Sequence, residues 1–383
     1  MPDQTKAAPA APGPAKAQKQ DRPVSAHRAF LYAMALPGWG EWYAGRKQLG
    51  AATFGLLCLA LLWFTWMFVL YITDMMQGLQ GALLGLPLAE VSPNLFYLFG
   101  ASGHSLYVVW MWAMLAGVQY ARERRVHENL PGQRSSIWGL VMAWVCPGCG
   151  HAYQGKAALG YLFFGAYSVI ALCILPVYFQ FSRDLKAMLG DQDILMGNTH
   201  TVVSVMLNAL GELSMRVDFS PASLFKVVLR SLAVADTAIM LYAAKQAAKY
   251  LPSQAGGQTE ERPAPKTRAE AMVAEAARHE QRVQGTLPPV PWHKRPFVQA
   301  LGYWGASWLC PGAGQMLQGR GVLGWVLLGL YFLPSAALSA VLHLDLIDPS
   351  SVGWLAHTPG IVKWAVMFEA LIWWLWIGNN RDE

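Results

Sequence analysis

Residues 146–160 read CPGCGHAYQGKAALG, and two other stretches of the chain align with them without a gap. The earlier stretch is LPGWGEWYAGRKQLG from Leu36, and the later one is CPGAGQMLQGRGVLG from Cys310. The shared frame is PGxG, four residues, Gly, a basic residue, two residues and Leu-Gly. Because proline breaks helices and glycine allows tight backbone turns, the frame predicts the same chain bend at three places.

Four positions mark the bend in each copy. They are Pro37, Gly38, Gly40 and Gly45 in the first, Pro147, Gly148, Gly150 and Gly155 in the second, and Pro311, Gly312, Gly314 and Gly319 in the third. A pattern of this length that occurs three times indicates an internal repeat.

The second copy also contains a CxxC pair, Cys146 and Cys149, followed by His151, and this spacing is typical of a redox or metal site. The other two copies have Leu and Trp, or Cys and Ala, at the two cysteine positions. A zinc site needs a third and a fourth ligand, and only His151 is near. We therefore favour a structural interpretation, keep a metal-binding or reactive thiol pair as the alternative, and predict no cofactor.

The composition excludes an ordinary soluble enzyme, because the 383 residues are 54% hydrophobic and only 14% charged. Soluble domains carry roughly a quarter of charged residues. Stretches without Lys, Arg, Asp or Glu cover 48–73, 93–121, 157–182 and 321–344, and each exceeds the roughly 20 apolar residues that cross a bilayer. The sequence predicts a polytopic membrane protein.

Each bend leads into a long apolar stretch, then a polar stretch, then Ser or Thr followed by Pro. These pairs are Ser92-Pro93, Ser220-Pro221 and Thr358-Pro359. A hydroxyl N-cap with proline at the first helical position is a favourable helix start, so each pair predicts a second long helix. The fold class is therefore all-α, with three parallel repeats, each a broken or re-entrant half-helix plus two transmembrane helices. We expect a pseudo-threefold arrangement around a central axis.

The repeats divide the chain into five parts. These are a disordered basic N-terminal tail without a cleaved signal (1–28), segment 1 (29–125), segment 2 (134–250), a cytoplasmic linker with a short helix at 269–282 (251–295), and segment 3 (296–383). Part of the outer loop 181–219 has an apolar face at helical spacing and is expected to lie in the membrane interface.

The distribution of charge favours a re-entrant bend that leaves both termini in the cytoplasm. Most of the 29 Lys and Arg then lie on the inner side, whereas the outer loops hold only Arg183, Lys186 and Arg216. This asymmetry follows the positive-inside rule and is expected of a bacterial inner membrane protein. A basic rim of this kind meets anionic lipid, so the net charge of +6 does not imply nucleic acid.

Five ionisable residues of the second helices are candidate intramembrane polar groups. The stretches HSLYVVW, RSLAVAD and KWAVMFE place His104, Arg230 and Lys363 six positions before Trp110, Asp236 and Glu369, respectively. Asp236 and Glu369 are expected near mid-membrane, about 13 Å and about 18 Å from the inner helix ends at 1.5 Å per residue. Buried carboxyl groups in a membrane are functional candidates. The alternative is that each is a structural group, either protonated or bonded to Arg230, Lys363 or the backbone of a broken helix. The outer three are explained equally well as snorkelling side chains.

The frame resembles the two-helix TM2-type membrane domain in GCGHAYQGKAALG and, more loosely, in GWGEWYAGRKQLG and GAGQMLQGRGVLG. The resemblance covers about 20 residues in each copy. It departs from the family after the His, where Phe-Tyr and an Asp-Arg-Phe turn are missing. It implies a small packing module of two apolar helices without an established chemistry.

Two function classes remain. The first is a non-enzymatic scaffold or assembly subunit of a membrane complex, with the lipid bilayer and other protein chains as partners. The second is an ion- or proton-coupled transporter or channel that uses Asp236 and Glu369. Three parallel units fit the even-numbered halves of known carriers poorly, so we favour the scaffold.

Overall fold

The computed structural model describes residues 23–83, 92–128, 135–189, 220–250, 296–343 and 357–376, with five isolated positions between 204 and 218. Within these ranges the chain is helical apart from short turns, and no strand occurs in them. The all-α prediction is confirmed for this part of the chain. The N-terminal tail up to residue 22, the linker with its expected helix at 269–282, and most of the outer loop 181–219 lie outside it.

Thirteen helices are named in chain order within the described ranges. They are α1 (Ala26–Ala35), α2 (Trp39–Tyr43), α3 (Lys47–Leu83), α4 (Pro93–His127), α5 (Ser136–Val145), α6 (Cys149–Gln154), α7 (Ala157–Leu172), α8 (Leu175–Leu189), α9 (Pro221–Tyr250), α10 (Pro296–Leu309), α11 (Ala313–Leu317), α12 (Gly321–His343) and α13 (Thr358–Trp376).

Three helical stretches are long and apolar enough to cross a membrane. They are Lys47–Gln77 in α3, Ala157–Arg183 across α7 and α8, and Gly321–Leu342 in α12. The first long helix that follows each bend thus has the length and the apolar composition that the predicted membrane spans require. The second long helices, α4, α9 and α13, contain 35, 30 and 19 residues, but their composition does not place them among these three.

Each PGxG stretch breaks the helix as the sequence predicts. The glycine after the proline has a left-handed backbone, with φ of 100° at Gly38, 104° at Gly148 and 93° at Gly312. The same glycine lies close to the glycine that ends the frame, twelve residues further on. At Gly148, for example, an added Cβ would clash with the backbone carbonyl of Gly160. The proline and the two glycines of each PGxG are buried, whereas the later glycine of each bend, at Gly45, Gly155 and Gly319, is exposed.

The expected helix starts are close to those observed. Helices α4 and α9 begin at Pro93 and Pro221, and the hydroxyl of Ser220 accepts a hydrogen bond from the backbone N–H of Ser223 at 3.2 Å. Helix α13 begins one residue before its proline, at Thr358.

The helices pack as a row of three groups. Helix α4 lies between α1–α3 of its own segment and α6–α8 of segment 2, and α9 lies in the same way between α5–α7 and α11–α12. Among the described helices, α13 packs mainly on α10, α11 and α12. Among the main helix contacts of the described residues, none joins segment 1 to segment 3, so the expected pseudo-threefold ring is not seen there. The contacts between segments run mainly from a second helix to the bend and the long helix that follow it. They also include α5 with α10, and His27 of α1 with Tyr153 of α6.

Candidate functional site

A buried polar residue follows every PGxG bend. Glu41, His151 and Gln315 occupy the same position of the frame, and all three side chains are 0% exposed. We call these three residues the polar row. Because a buried polar group is costly unless it is hydrogen-bonded, their partners show how the bend is held against its neighbours.

In segment 2, His151 meets an acid of the second helix. Its Nε2 lies 2.9 Å from Oδ2 of Asp236, and its ring stacks on Phe163 of α7 with centroids 4.7 Å apart. A carboxylate only accepts hydrogen bonds, so Nε2 carries the proton when Asp236 is ionised. The other ring nitrogen, Nδ1, is buried without a hydrogen-bond partner. The pair thereby joins α6 to α9.

In segment 3, the side-chain amide of Gln315 likewise bonds to an acid of the second helix. Its Nε2 donates to Oε2 of Glu369 at 2.8 Å and to the backbone carbonyl of Val366 at 2.9 Å. Arg320, the basic residue of the frame, pairs with the other carboxylate oxygen of Glu369 at 2.5 Å. Glu369 is therefore fully engaged, by one neutral donor and one cation.

In segment 1, Glu41 has no partner of this kind on the second helix. Its Oε1 accepts a hydrogen bond from Thr53 Oγ1 at 3.2 Å, while Oε2 is buried without a partner. Glu41 and Thr53 are both buried. Backbone N–H groups of Gly38 and of Glu41 itself also lie near the carboxyl group. A carboxylate buried without an opposite charge is costly, so we expect Glu41 to be held in its neutral form.

Two cysteines of the frame join one segment to the next. The thiol of Cys146 donates to the backbone carbonyl of Met111 at 3.4 Å, and that of Cys310 donates to the carbonyl of Ser231 at 3.5 Å. In both contacts the acceptor belongs to the second helix of the preceding segment. The structural interpretation of these cysteines therefore has a physical reason, which is a hydrogen bond between segments.

The geometry gives no support to the alternative metal interpretation. The imidazole of His151 bonds to Asp236 and not to Cys146 or Cys149. Within the described ranges, no group of three or more His, Cys, Asp or Glu side chains is arranged to hold a metal ion.

The outer polar candidates contact aromatic rings or backbone. One residue of each second helix contacts the residue that lies two positions before the first residue of a frame. The contacts are Trp110 Nε1 to the carbonyl of Met34 at 2.9 Å, Arg230 over the ring of Trp144 at 5.7 Å, and Lys363 over the ring of Trp308 at 5.1 Å.

These contacts correct the sequence alignment of α4, the second long helix of segment 1. The counterpart of Arg230 and Lys363 is Trp110, and the expected counterpart, His104, lies six residues nearer the start of α4, beside Tyr107. The same shift makes Ala116 the counterpart of Asp236. It agrees with the approach of Gly117 to Gly40, since a Cβ at Gly40 would lie 3.4 Å from the Cα of Gly117. Segment 1 therefore lacks the acid because it carries alanine at that position.

The structure brings some of the expected residues together and separates others. Asp236 bonds to His151, and not to Arg230 or Lys363 as the pairing alternative proposed. Sequence reasoning missed Glu41, Gln315 and the ion-pair role of Arg320. The signal for the first two was an aligned column that is polar in all three copies, which is otherwise true only of the basic residue of the frame.

No protein-family model, no curated protein and no solved structure matches this chain, and the TM2-type resemblance therefore stays a prediction.

Proposed function

We propose that the chain is a non-enzymatic integral membrane protein of the bacterial inner membrane that serves as a scaffold or assembly subunit. In this proposal three parallel units, each with a re-entrant bend and two transmembrane helices, stand in a row with both termini in the cytoplasm. The surface that a further subunit binds is the outward face of α13, and this face is the observation that carries the proposal.

The lengths of the half-helices support the re-entrant bend. Helices α1 and α5 contain 10 residues each and α10 contains 14, which is about 15, 15 and 21 Å at 1.5 Å per residue. The hydrocarbon core of a bilayer is about 30 Å thick. A helix that stops halfway and turns back at PGxG fits these lengths, and it keeps the Gly-base turn on the basic, inner side.

The second helices of segments 1 and 2 each bury one face against the next segment. On α4 this face includes Leu115, which is 0% exposed, and Met111, whose carbonyl accepts the thiol of Cys146. On α9 the counterparts are Ala235, also 0% exposed, and Ser231. These faces define how one unit receives the next.

The corresponding face of α13 carries larger apolar residues and is open. Phe368, the counterpart of Leu115 and Ala235, is 48% exposed, and Trp364, the counterpart of Met111 and Ser231, is 53% exposed. The stripe continues at helical spacing on both sides through residues that are also exposed, namely Ile361, Ile372 and Leu375. An apolar face of this kind is covered either by lipid or by protein, and its correspondence with the two faces that each receive the next segment is what supports a protein partner.

The occupant that we propose is the first segment of a second copy of this chain. In segments 2 and 3 the surface that meets the preceding second helix is buried, at Cys149 and Phe164 and at Ala313 and Leu328. The aligned residues of segment 1, Trp39 and Phe54, are exposed. A head-to-tail contact of this kind is heterologous, so it builds a ring or a filament.

Cysteine cross-linking tests this contact. In a chain with Cys58→Ser and Cys173→Ser, we introduce Leu36→Cys and Trp364→Cys, which stand where Cys146 meets Met111 and Cys310 meets Ser231. Segments 1 and 3 of one copy do not pack on each other, so a disulfide must join two copies. Mild oxidation of membranes is expected to give dimers and a ladder of higher species on a non-reducing gel.

The single variants provide the control. Each alone is expected to stay monomeric, and co-expression of the two single variants is expected to give dimers without a ladder. A matched pair of Trp364→Cys with Leu62→Cys, a residue of α3 that is 68% exposed, is expected to stay uncross-linked. Cross-linking of the test pair no greater than this control would show that α13 faces lipid, and the proposal would fail.

An ion- or proton-coupled transporter is the second candidate, and the His151–Asp236 pair favours it because such pairs carry protons in pumps. Flux of protons into proteoliposomes is the test: a rate that collapses with Asp236→Asn and Glu369→Gln supports the transporter, and a rate no higher than in protein-free liposomes excludes it.

A further inference from the structure

A cavity lined by cations lies between segments 2 and 3. Its volume is about 160 Å³. Lys226 and Arg230 of α9 reach it from one side and Lys363 of α13 from the other. Aromatic rings form much of the remaining wall, from Trp144, Tyr167 and Tyr331. Among the residues that the structure describes, no Asp or Glu lines the cavity, and three positive charges share it.

The cations of the cavity have rings and hydroxyls as neighbours where a counter-ion would be expected. Arg230 donates from Nη2 to the hydroxyl of Tyr167 at 2.6 Å, and its Nε is buried without a hydrogen-bond partner. Lys226 lies 5.9 Å from the centroid of Tyr167. Lys363 lies over Trp308. Among the residues that the structure describes, no carboxylate forms an ion pair with any of the three.

Ring faces attract cations only weakly compared with an opposite charge. Three cations in one cavity also repel each other, since the Coulomb energy of like charges rises as the dielectric constant falls. The cluster is therefore electrostatically incomplete, and an anion in the cavity would complete it.

The position of the cavity in the proposed topology fits a phosphate group. Lys226 and Lys363 lie within two turns of the first residues of α9 and α13, which is roughly 7 Å below the outer helix ends at 1.5 Å per residue. The polar head groups of a bilayer lie at this level, and clustered Lys and Arg side chains attract anionic head groups. Arg230 supplies the planar, multiple donors that suit phosphate oxygens.

The corresponding interface between segments 1 and 2 offers no such cluster. The α4 residues aligned with Lys226 and Arg230 are Leu106 and Trp110. The charge is thus a property of this one interface and not of the shared packing mode.

We propose that the cavity formed by Lys226, Arg230 and Lys363 is a binding site for a phosphate anion. The phosphate belongs either to the phosphodiester of an anionic lipid or to free inorganic phosphate, and both would present the same oxygens to Arg230. The inference rests on the cavity and its charges, and it stands or falls separately from the contact between copies at α13.

Native mass spectrometry and thermal unfolding distinguish the two sources. Protein taken from nanodiscs of phosphatidylglycerol and phosphatidylcholine is released into the gas phase, and the retained lipid is identified. Delipidated protein in a neutral detergent is separately titrated with sodium phosphate against sodium chloride of equal ionic strength. Selective retention of phosphatidylglycerol identifies the lipid, and a rise in Tm with phosphate but not with chloride identifies the free anion.

Variants locate the site. Arg230→Gln and Lys363→Gln are each expected to reduce the retention or the phosphate affinity at least tenfold, and Arg230→Lys is expected to restore part of it. Arg183→Gln removes an exposed cation of the outer side that does not line the cavity, and it is expected to leave binding unchanged. The proposal is overturned if neither ligand binds the native protein, or if Arg183→Gln weakens binding as much as Arg230→Gln does.

Discussion

The left-handed glycine after each proline is the residue on which the bend depends. At Gly148 the backbone has φ of 104°, and a Cβ would collide with the carbonyl of Gly160. Two separate costs therefore oppose any side chain at this position, one from the backbone conformation and one from the close approach of α7.

Replacing Gly148 by alanine is expected to destabilise the protein by about 2 kcal/mol or more, since a left-handed conformation alone costs a residue with a Cβ about 1–2 kcal/mol. The matched control is Gly165→Ala in α7, where nothing lies within 4 Å of an added Cβ and alanine is expected to be neutral or to stabilise the helix by up to about 1 kcal/mol. Unfolding titrations with a denaturing detergent measure both. Equal stability of the two variants would contradict this role of Gly148.

The hydrogen bond between His151 and Asp236 predicts an energetic coupling. In a double-mutant cycle of His151→Ala and Asp236→Asn, we expect a coupling free energy of about 0.5–3 kcal/mol, the range for residues in direct contact. A parallel cycle of His151→Ala with Glu369→Gln joins residues of different clusters and should be additive. Additivity in the first cycle would mean that the pair does not hold α6 to α9.

Charged residues within an apolar stretch could be identified from the sequence as candidate site residues, but their hydrogen-bond partners could not. Asp236 and Glu369 are conspicuous because charge is costly in lipid. Gln315 is neutral, and Glu41 stands at the edge of a bend, so neither stood out by cost alone. Only the aligned column shows them, and the sequence does not reveal that one slot accepts Glu, His or Gln because each meets a different neighbour.

At the scale of elements, breaks and helix starts follow local chemistry and were predictable. The PGxG breaks and the starts at Pro93 and Pro221 occur where proline and glycine place them. The register of α4 against its bend was not predictable, because the sequence alignment relied on the spacing of ionisable residues. Segment 1 has Ala116 and Trp110 where the others have an acid and a base, and only the contacts of Trp110 fix the register.

The first position of the frame predicts a difference in stability effects between segments. In segments 2 and 3 a cysteine at this position contacts the second helix of the preceding segment, whereas in segment 1 no segment of the same chain precedes Leu36. Cys310 is fully buried against α9, so Cys310→Leu is expected to overpack the interface and cost about 1–3 kcal/mol. Leu36→Cys, the reverse exchange in segment 1, has no preceding helix of its own chain to meet, and in monomeric protein it is expected to change stability by less than about 1 kcal/mol. Thermal unfolding in detergent compares them, and an equal loss in both would argue against a special contact at Cys310.

At the scale of the whole molecule, the row of segments explains which surfaces are buried and which are open. Two apolar cores form, one from segments 1 and 2 and one from segments 2 and 3. A threefold repeat in the sequence suggested a closed ring, but closure depends on the angle between neighbours, and that angle is set by side-chain packing that a repeat pattern does not contain. The open ends of the row are the consequence on which the proposed assembly rests.

The re-entrant bend is the central claim, and the side of the membrane on which each bend emerges tests it most directly. Single cysteines replace Lys47, Lys156 and Gly321 in a chain with Cys58→Ser and Cys173→Ser, with Asp218→Cys as an outer-loop reference. A membrane-impermeant maleimide is applied to right-side-out and to inverted vesicles. All three positions are expected to react only in inverted vesicles, and Asp218→Cys only in right-side-out ones. Reaction of Lys156→Cys from the outer face while Lys47→Cys reacts from the inner face would show that the bends span, and it would contradict the fold and the proposed role together.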